Sequence, residues 1–179
     1  MNYPAELIAR IVIKQGDITG EDVDAIVNAA NPGLLGGGGV DGAIHCAAGP
    51  GLLQECRTLG GCQHGEARIT GGYNLKARYI IHTPGPVFKG GNKRERIILT
   101  ESYYNSMRLA KEHNLLSISF PAISTGIYGY PKEEACEVAV TTVLDFMKNE
   151  NFVIDVYFVL FDRENTELYT SFLTSLKNF

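Results

Sequence analysis

Hydrophobic positions along the chain switch repeatedly between two periodicities, which predicts strands and helices in alternation. Short apolar runs, alternating or unbroken, predict strands at residues 10–14, 25–29, 67–70, 79–82, 117–120 and 155–161. Apolar residues at helical spacing predict helices from Val40 to about residue 48, a short one ending near Leu59, and further ones from about 94 to 114, from Pro131 and after Asn165. Strands that alternate with helices predict an α/β fold, a three-layer α/β/α sandwich around a mixed, mainly parallel sheet.

Length, composition and charge exclude several classes of protein. The chain has 179 residues, which is the size of one domain, and 45% of them are hydrophobic, too many for a disordered protein. Its 16 Lys and Arg against 20 Asp and Glu lack the basic surplus that broad nucleic-acid binding requires. The longest apolar run, 156–161, is too short to cross a membrane, and the N-terminus lacks a signal-peptide pattern. We therefore expect a cytoplasmic protein without membrane partners.

The four cysteines give no sign of a metal site. Cys46, Cys56, Cys62 and Cys136 are scattered without CxxC pairs, whereas zinc needs about four ligands. We expect reduced thiols, no metal and no cofactor.

Two loops that follow predicted strands combine glycine with polar residues. The first, 28–42, holds four consecutive glycines from Gly36 to Gly39 directly before a helix, and the second covers 124–129. Free backbone N–H groups beside a helix N-terminus suit an anion such as phosphate, and two such loops suggest a diphosphate. The alternative is that the glycines only make tight turns.

Common nucleotide and hydrolase motifs do not fit these loops. Gly37, Gly39 and Gly42 satisfy GxGxxG, but residues 59–64 lack the acidic residue that a dinucleotide site needs about 20 positions later. The chain has no GxxxxGK[ST] motif, and Ser124 does not lie in a GxSxG elbow.

Four polar residues near the ends of predicted strands are candidates for binding and chemistry. Amides such as Asn28 and Asn31 can bind sugar hydroxyls, although both could simply make turns. Asp41 is repelled by phosphate, so orienting a water or a sugar hydroxyl suits it better, unless it only complements the helix dipole. Asp17 could accept a hydrogen bond from an exocyclic amine or cap a turn, and its spacing does not decide between these roles.

Five motifs together resemble the macrodomains, specifically the MacroD-type group that includes small bacterial O-acetyl-ADP-ribose deacetylases. They are Gly16-Asp17-Ile18-Thr19, Val27-Asn28-Ala29-Ala30-Asn31, Gly38-Gly39-Val40-Asp41 separated from Asn31 by six residues, Gly42-Ala43-Ile44-His45, and the run from Pro121 to Pro131. The resemblance extends from about Ile11 to Tyr169. It implies that residues 1–179 form a single macrodomain with a core at about 11–170.

The resemblance implies ADP-ribose as the ligand and gives each candidate residue a role. Asp17 would accept from the adenine amine beside the Ile18 backbone. Asn31 would hold the distal ribose, with Asn28 supporting that end of the strand. The residues implied for the diphosphate are Gly39, Val40, Ser124, Thr125, Gly126 and Ile127. Tyr128 would close over the distal ribose, and Asp41, with Asn31, would position the attacking water.

The activity implied is ester hydrolysis on the distal ribose. The substrates would be O-acetyl-ADP-ribose and mono-ADP-ribosylated acidic side chains of proteins, with nucleic acid a partner only through an ADP-ribosylated end. A non-catalytic ADP-ribose-binding module is the alternative, and bacterial relatives also suggest regulation of an RNA-processing ribonuclease.

Two expectations concern residues outside these motifs. Many relatives place an aromatic residue over the adenine just after the last strand, but residues 162–166 contain none, so we expect no stacking there. His45 and His82 are both expected to serve a structural role, His82 as a core or edge histidine.

Overall fold

The computed structural model describes residues 1–177. Its strands are β1 (Ile11–Gln15), β2 (Ala25–Ala29), β3 (Arg68–Gly71), β4 (Tyr79–Thr83), β5 (Ser117–Phe120) and β6 (Asp155–Leu160). Its α-helices are α1 (Ala5–Ile8), α2 (Gly39–Ala48), α3 (Pro50–Thr58), α4 (Lys93–Glu112), α5 (Lys132–Asn149) and α6 (Arg163–Leu176), and a short 3-10 helix covers Ile18–Gly20.

The strands form one six-stranded sheet in the order β1-β6-β5-β2-β4-β3. Every neighbouring pair is parallel except β3 with β4, which are antiparallel at one edge. The predicted mixed, mainly parallel sheet is therefore confirmed.

Helices cover both faces of the sheet. Because side chains alternate along each strand, a single strand packs against the helices on both sides. On β2, Val27 packs into the larger core with α4, α5 and α6, whereas Ile26 packs into a smaller core with α2 and α3. The inward face of α4 is fully buried, at Leu99, Tyr103, Met107 and Ala110. These three layers are the predicted α/β/α sandwich.

The parallel strands place five loops on the same side of the sheet, at the carboxyl ends of the strands. Strands β1, β2, β4, β5 and β6 run in one direction, so the segments that follow them all begin at their carboxyl ends. In open α/β sheets this side is where ligands bind. Both glycine-containing loops and Asp17 lie there.

The last strand and the last helix differ from the prediction. Strand β6 ends at Leu160 and not at Phe161, and α6 begins at Arg163 and not after Asn165. The reason is local: the Asp162 carboxylate caps α6 by accepting a 2.7 Å hydrogen bond from the backbone N–H of Asn165. No helix among residues 1–177 is long and apolar enough to cross a membrane.

Candidate active site

A cleft of about 710 Å³ opens at the carboxyl ends of the parallel strands. This volume is within the usual range for small-molecule sites. Eleven of the twelve predicted site residues line it, namely Asp17, Ile18, Asn31, Gly39, Val40, Asp41, Ser124, Thr125, Gly126, Ile127 and Tyr128. The fold therefore brings together motifs that are more than 100 residues apart in the sequence.

Asn31 shapes the glycine loop that forms one wall of the cleft. Its side-chain Nδ2 donates to the carbonyl of Gly36 at 2.8 Å, and its Oδ1 accepts from the Leu34 N–H at 3.1 Å. The same amide also lines the cleft, so its turn-making role and its predicted ligand contact are compatible.

Two glycines in this loop are required by close approach. A Cβ on Gly42 would lie 2.5 Å from the Gly37 carbonyl oxygen, so only glycine lets the loop rest on the first turn of α2. A Cβ on Gly37 would lie 3.1 Å from Asp41 Oδ2 and 3.3 Å from Asn31 Nδ2. A side chain at Gly37 would therefore press on the two residues predicted to carry the chemistry.

The glycine loop presents backbone N–H groups without partners. Within residues 1–177, the N–H groups of Gly37, Gly38, Gly39, Val40 and Asp41 have no hydrogen-bond acceptor, and three of these residues form the first turn of α2. The partial positive charge of a helix N-terminus adds to them. This wall of the cleft is suited to an anion.

The loop after β5 forms the facing wall. Ser124 has a left-handed φ of 66°, and its carbonyl accepts from the Tyr130 N–H at 2.9 Å, which folds the loop back on itself. Among the described residues, the N–H groups of Thr125, Gly126, Ile127 and Tyr128 also have no acceptor. The two walls therefore repeat the same chemistry, as a diphosphate requires.

Asp41 is a carboxylate buried at the inner surface of the cleft. It is 5% exposed, and its Oδ1 accepts from the Asn28 amide at 2.8 Å and lies 3.5 Å from His45 Nε2. Burial raises the pKa of Asp41, and the Asn28 hydrogen bond and His45 oppose this shift without cancelling it. A carboxylate with a raised pKa is a suitable proton acceptor near neutral pH.

Asn28 differs from the prediction that it contacts the ligand. It is fully buried and lies outside the cleft, because the alternation of side chains along β2 turns it toward α2. There it donates to Asp41 and lies beside His82 of β4. Its role in this structure is to support Asp41 from below.

Asp17 lies at another part of the cleft and is exposed. Its Oδ1 accepts from the Thr19 hydroxyl at 2.7 Å and the Thr19 N–H at 2.9 Å, and these hydrogen bonds lower the pKa of Asp17. The side chain therefore caps the turn, which was one of its two possible roles, and the cap uses only one of the two carboxylate oxygens. An ionised acceptor therefore faces the cleft beside Ile18.

Phe161 is a cleft residue that the sequence analysis missed. It is the first residue after β6, is 86% exposed and lines the cleft near Asp162. The expectation that no aromatic residue follows the last strand was wrong by one position, because the apolar run had been assigned to the strand as far as Phe161. A bulky aromatic residue directly before the helix-capping Asp162 was the available signal.

Comparisons with known proteins agree with this geometry. The family model of the macro domain matches residues 27–139. The chain is 54% identical to a macro domain-containing protein of Chlorobaculum tepidum, over 90% of this chain and 94% of the relative. It is 52% identical to a Salmonella typhimurium protein named O-acetyl-ADP-ribose deacetylase, over 94% of this chain and 96% of the relative.

A solved structure is similar to this chain in fold as well as in sequence. The Oceanobacillus iheyensis macrodomain with ADP superposes with a TM-score of 0.90 at 44% identity, covering 94% of this chain and 92% of that one. The chain belongs to the macrodomain family. The predicted family and the predicted fold are both confirmed.

The macrodomain cleft has two chemically different regions. The buried Asp41 and the half-buried Asn31 form a polar region at the glycine loop. Asp17, Ile18 and Phe161 form a more open region at the ends of β1 and β6, where an exposed carboxylate and an exposed ring face the same space. The two rows of free N–H groups border the cleft as well, and together these groups suit an extended ligand with a central anion.

Proposed function

We propose that this macrodomain binds ADP-ribose and hydrolyses esters on its distal ribose, with O-acetyl-ADP-ribose as a substrate. The observation that carries the proposal is the buried Asp41 carboxylate, which lies in the same cleft as two rows of free backbone N–H groups. A pure phosphate site gains nothing from a carboxylate, because like charges repel each other. A site that must activate a water beside a phosphorylated sugar does need one.

The chemical character of each region of the cleft sets the orientation of the ligand. The two loops bind the diphosphate through backbone N–H groups of residues such as Gly39, Val40, Ser124 and Gly126. The adenine packs on Phe161 and donates its exocyclic amine to Asp17. The distal ribose then lies between Asn31, Asp41 and Tyr128.

Ester cleavage in this arrangement needs only water and one proton acceptor. Asp41 takes a proton from a water as the water oxygen attacks the acyl carbon of the ester. The bond between that carbon and the ribose oxygen breaks, and the proton passes to this departing oxygen, which leaves as the ribose hydroxyl. The products are ADP-ribose and acetate, and Asp41 is regenerated. The raised pKa of Asp41 strengthens it as a base.

The same bond type defines a second substrate class. A mono-ADP-ribosylated Asp or Glu side chain is also an ester of the distal ribose, so the same attack would release the unmodified protein. The name of the Salmonella relative supports the acetyl ester, and the ADP in the Oceanobacillus structure supports the adenosine diphosphate portion of the ligand.

The decisive experiment follows ADP-ribose release from O-acetyl-ADP-ribose by chromatography, with the parent protein and the Asp41→Ala variant. We expect release by the parent and a loss of turnover on the order of 10²–10⁴-fold in the variant, since a general base contributes that much. Calorimetry should show that the variant still binds ADP-ribose. Binding by the parent without any release would instead favour a non-catalytic ADP-ribose-binding module.

A further inference from the structure

A series of buried hydrogen bonds runs from Asp41 across one face of the sheet to the edge strand β3. Asn28 Nδ2 lies 2.8 Å from Asp41 Oδ1 and 3.1 Å from His82 Nδ1. His82 Nε2 lies 2.9 Å from the Thr70 hydroxyl, which in turn donates to the carbonyl of Gly71 at 3.1 Å. Asn28 of β2 is paired with His82 of β4, which aligns their side chains. Thr70 of the antiparallel edge strand β3 is paired with Ile80 and therefore reaches His82 diagonally.

The Asp41 carboxylate at one end determines the direction of every hydrogen bond in this series. An ionised Asp41 accepts only, so the Asn28 amide must turn its NH₂ group toward it. The second hydrogen of that NH₂ then points at His82 Nδ1, which must be the unprotonated acceptor. His82 therefore carries its proton on Nε2 and donates it to Thr70.

Burial keeps His82 in this neutral form. The side chain is fully buried, and desolvation lowers the pKa of His82 to about 3. Its titratable neighbours come from both adjacent helices: Cys56 Sγ of α3 lies 4.0 Å from Nε2, and the His45 ring of α2 lies 6.5 Å away. Burial also raises the pKa of the Cys56 thiol, to about 11, so no thiolate competes with Thr70 for the proton on Nε2.

We infer that His82 is a positioning residue for the Asp41 carboxylate and acts through the amide of Asn28. Without an acceptor at Nδ1, the second NH₂ hydrogen of Asn28 is buried without a partner, and the amide is held by its hydrogen bond to Asp41 alone. The side chain can then shift, which weakens that hydrogen bond and displaces the carboxylate. The inference rests on the proposed function of Asp41 as the proton acceptor.

A merely structural role for His82 predicts something different. A buried histidine that only fills the core contributes to the stability of the fold, and its loss lowers the fraction of folded protein. The kcat of the folded fraction and its dependence on pH would then stay unchanged. The positioning role predicts a change in kcat and in the pH profile at unchanged affinity for ADP-ribose.

The test compares His82→Leu with His82→Asn in the full chain. Leucine fills the space and removes both ring nitrogens, whereas the Oδ1 of asparagine can replace Nδ1 as the acceptor. We expect His82→Leu to lower kcat by about ten- to a hundred-fold, as small misplacements of catalytic groups do. The affinity for ADP-ribose should stay within about three-fold of the parent, and His82→Asn should recover most of the lost kcat.

The pH profile supplies the readout that instability cannot imitate. The Asn28 hydrogen bond lowers the pKa of Asp41, so its loss should move the acidic limb of kcat/KM to higher pH in His82→Leu. Parental kcat and an unmoved limb in this variant would overturn the inference.

Thr70→Val keeps the test decisive where His82→Leu does not fold. Valine has nearly the shape of threonine but removes the acceptor for the Nε2 proton, which frees the ring to protonate Nδ1 instead. We expect a several-fold loss of kcat and a shift of the acidic limb in the same direction, and an unchanged profile would refute the positioning role. A parent protein that binds ADP-ribose without hydrolysing the ester would instead refute the proposed function, so the two failures are distinguishable.

Discussion

Asp17 and Asp41 are two carboxylates in one cleft, and their surroundings shift their pKa values in opposite directions. Asp17 is exposed, and hydrogen bonds from Thr19 lower its pKa. Asp41 is buried, and desolvation raises its pKa despite the hydrogen bond from Asn28. Carboxylates whose environments separate their pKa values in this way commonly divide binding from proton transfer.

The difference between the two residues comes from the layers beneath them. Asp17 lies on a short turn after an edge strand and is held by one neighbouring residue. Asp41 lies on α2 above the middle of the sheet, where Asn28 and His82 support it. This difference supports our proposal that the exposed carboxylate recognises the adenine and the buried one carries the chemistry.

The largest effect should come from Asp41→Asn, which removes the charge and keeps an acceptor for Asn28. We expect kcat to fall by about 10²–10⁴-fold, measured by ADP-ribose release, while calorimetry shows ADP-ribose binding close to the parent. Asp17→Asn is the matched control, and an equal loss of kcat in it would remove the distinction between the carboxylates.

The same Asp41→Asn variant should be more stable than the parent at neutral pH. Because burial raises the pKa of Asp41, its contribution to stability is present at pH below the unfolded value near 3.8 and is lost as the pH rises through the folded value. Thermal melts should therefore show a gain at pH 7 that disappears at pH 3. A gain that is equal at both pH values would show that desolvation of the charge is not its cause.

Gly37→Ala should cause the next largest loss of kcat. The new Cβ would press on Asp41 Oδ2 and Asn31 Nδ2, and small displacements of catalytic groups can cost about 10²-fold. Gly33→Ala is the control in the same loop, because its Cβ would make only an ordinary 3.5 Å contact with Asn31. Similar kcat values for the two variants would contradict the close approach.

Lowering the pH should reduce kcat/KM without reducing the affinity for ADP-ribose. Below the raised pKa of Asp41, kcat/KM should fall by about ten-fold per pH unit, since only the ionised form accepts a proton. Binding of ADP-ribose should remain nearly constant over that range, because Asp17 with its lowered pKa stays ionised. A common midpoint for both curves would argue against separate roles.

At the adenine region, Phe161→Ala should weaken ADP-ribose binding by about ten-fold, since stacking of a base on an aromatic ring contributes about 1–3 kcal/mol. Calorimetry with Phe161→Tyr as the control keeps an aromatic face and should give parental affinity. Equal affinities for all three proteins would show that the ring does not contact the adenine.

The smallest effect should come from Asp17→Asn, which keeps the turn cap and removes the negative acceptor. We expect a loss of affinity of about two- to ten-fold, the range of a single exposed hydrogen bond. The parent should prefer ADP-ribose to its inosine analogue, which lacks the exocyclic amine, and the variant should lose that preference. A variant that retains it would place the amine elsewhere.

Local patterns predicted most of the elements but not all of the cleft. Strands β2 and β5 match their predicted bounds, because a short apolar segment marks β2 and an alternation of serine with apolar residues marks β5. The short helix α1 has no comparable pattern and was not predicted. Phe161 was misplaced because an apolar run does not show where hydrogen bonding between strands stops.

The sequence by itself determined the alternation of strands and helices, the two glycine-containing loops and the candidate residues in them. These features depend on periodicity and on backbone conformations that are local. Only the tertiary structure decided that Asn28 lies under Asp41, that His82 and Thr70 extend that contact, and that Phe161 faces the cleft. The physical reason is that strand register and burial depend on residues far apart in the chain. They set the pKa of a buried group and the direction of its hydrogen bonds, and neither can be predicted from the neighbouring residues in the sequence.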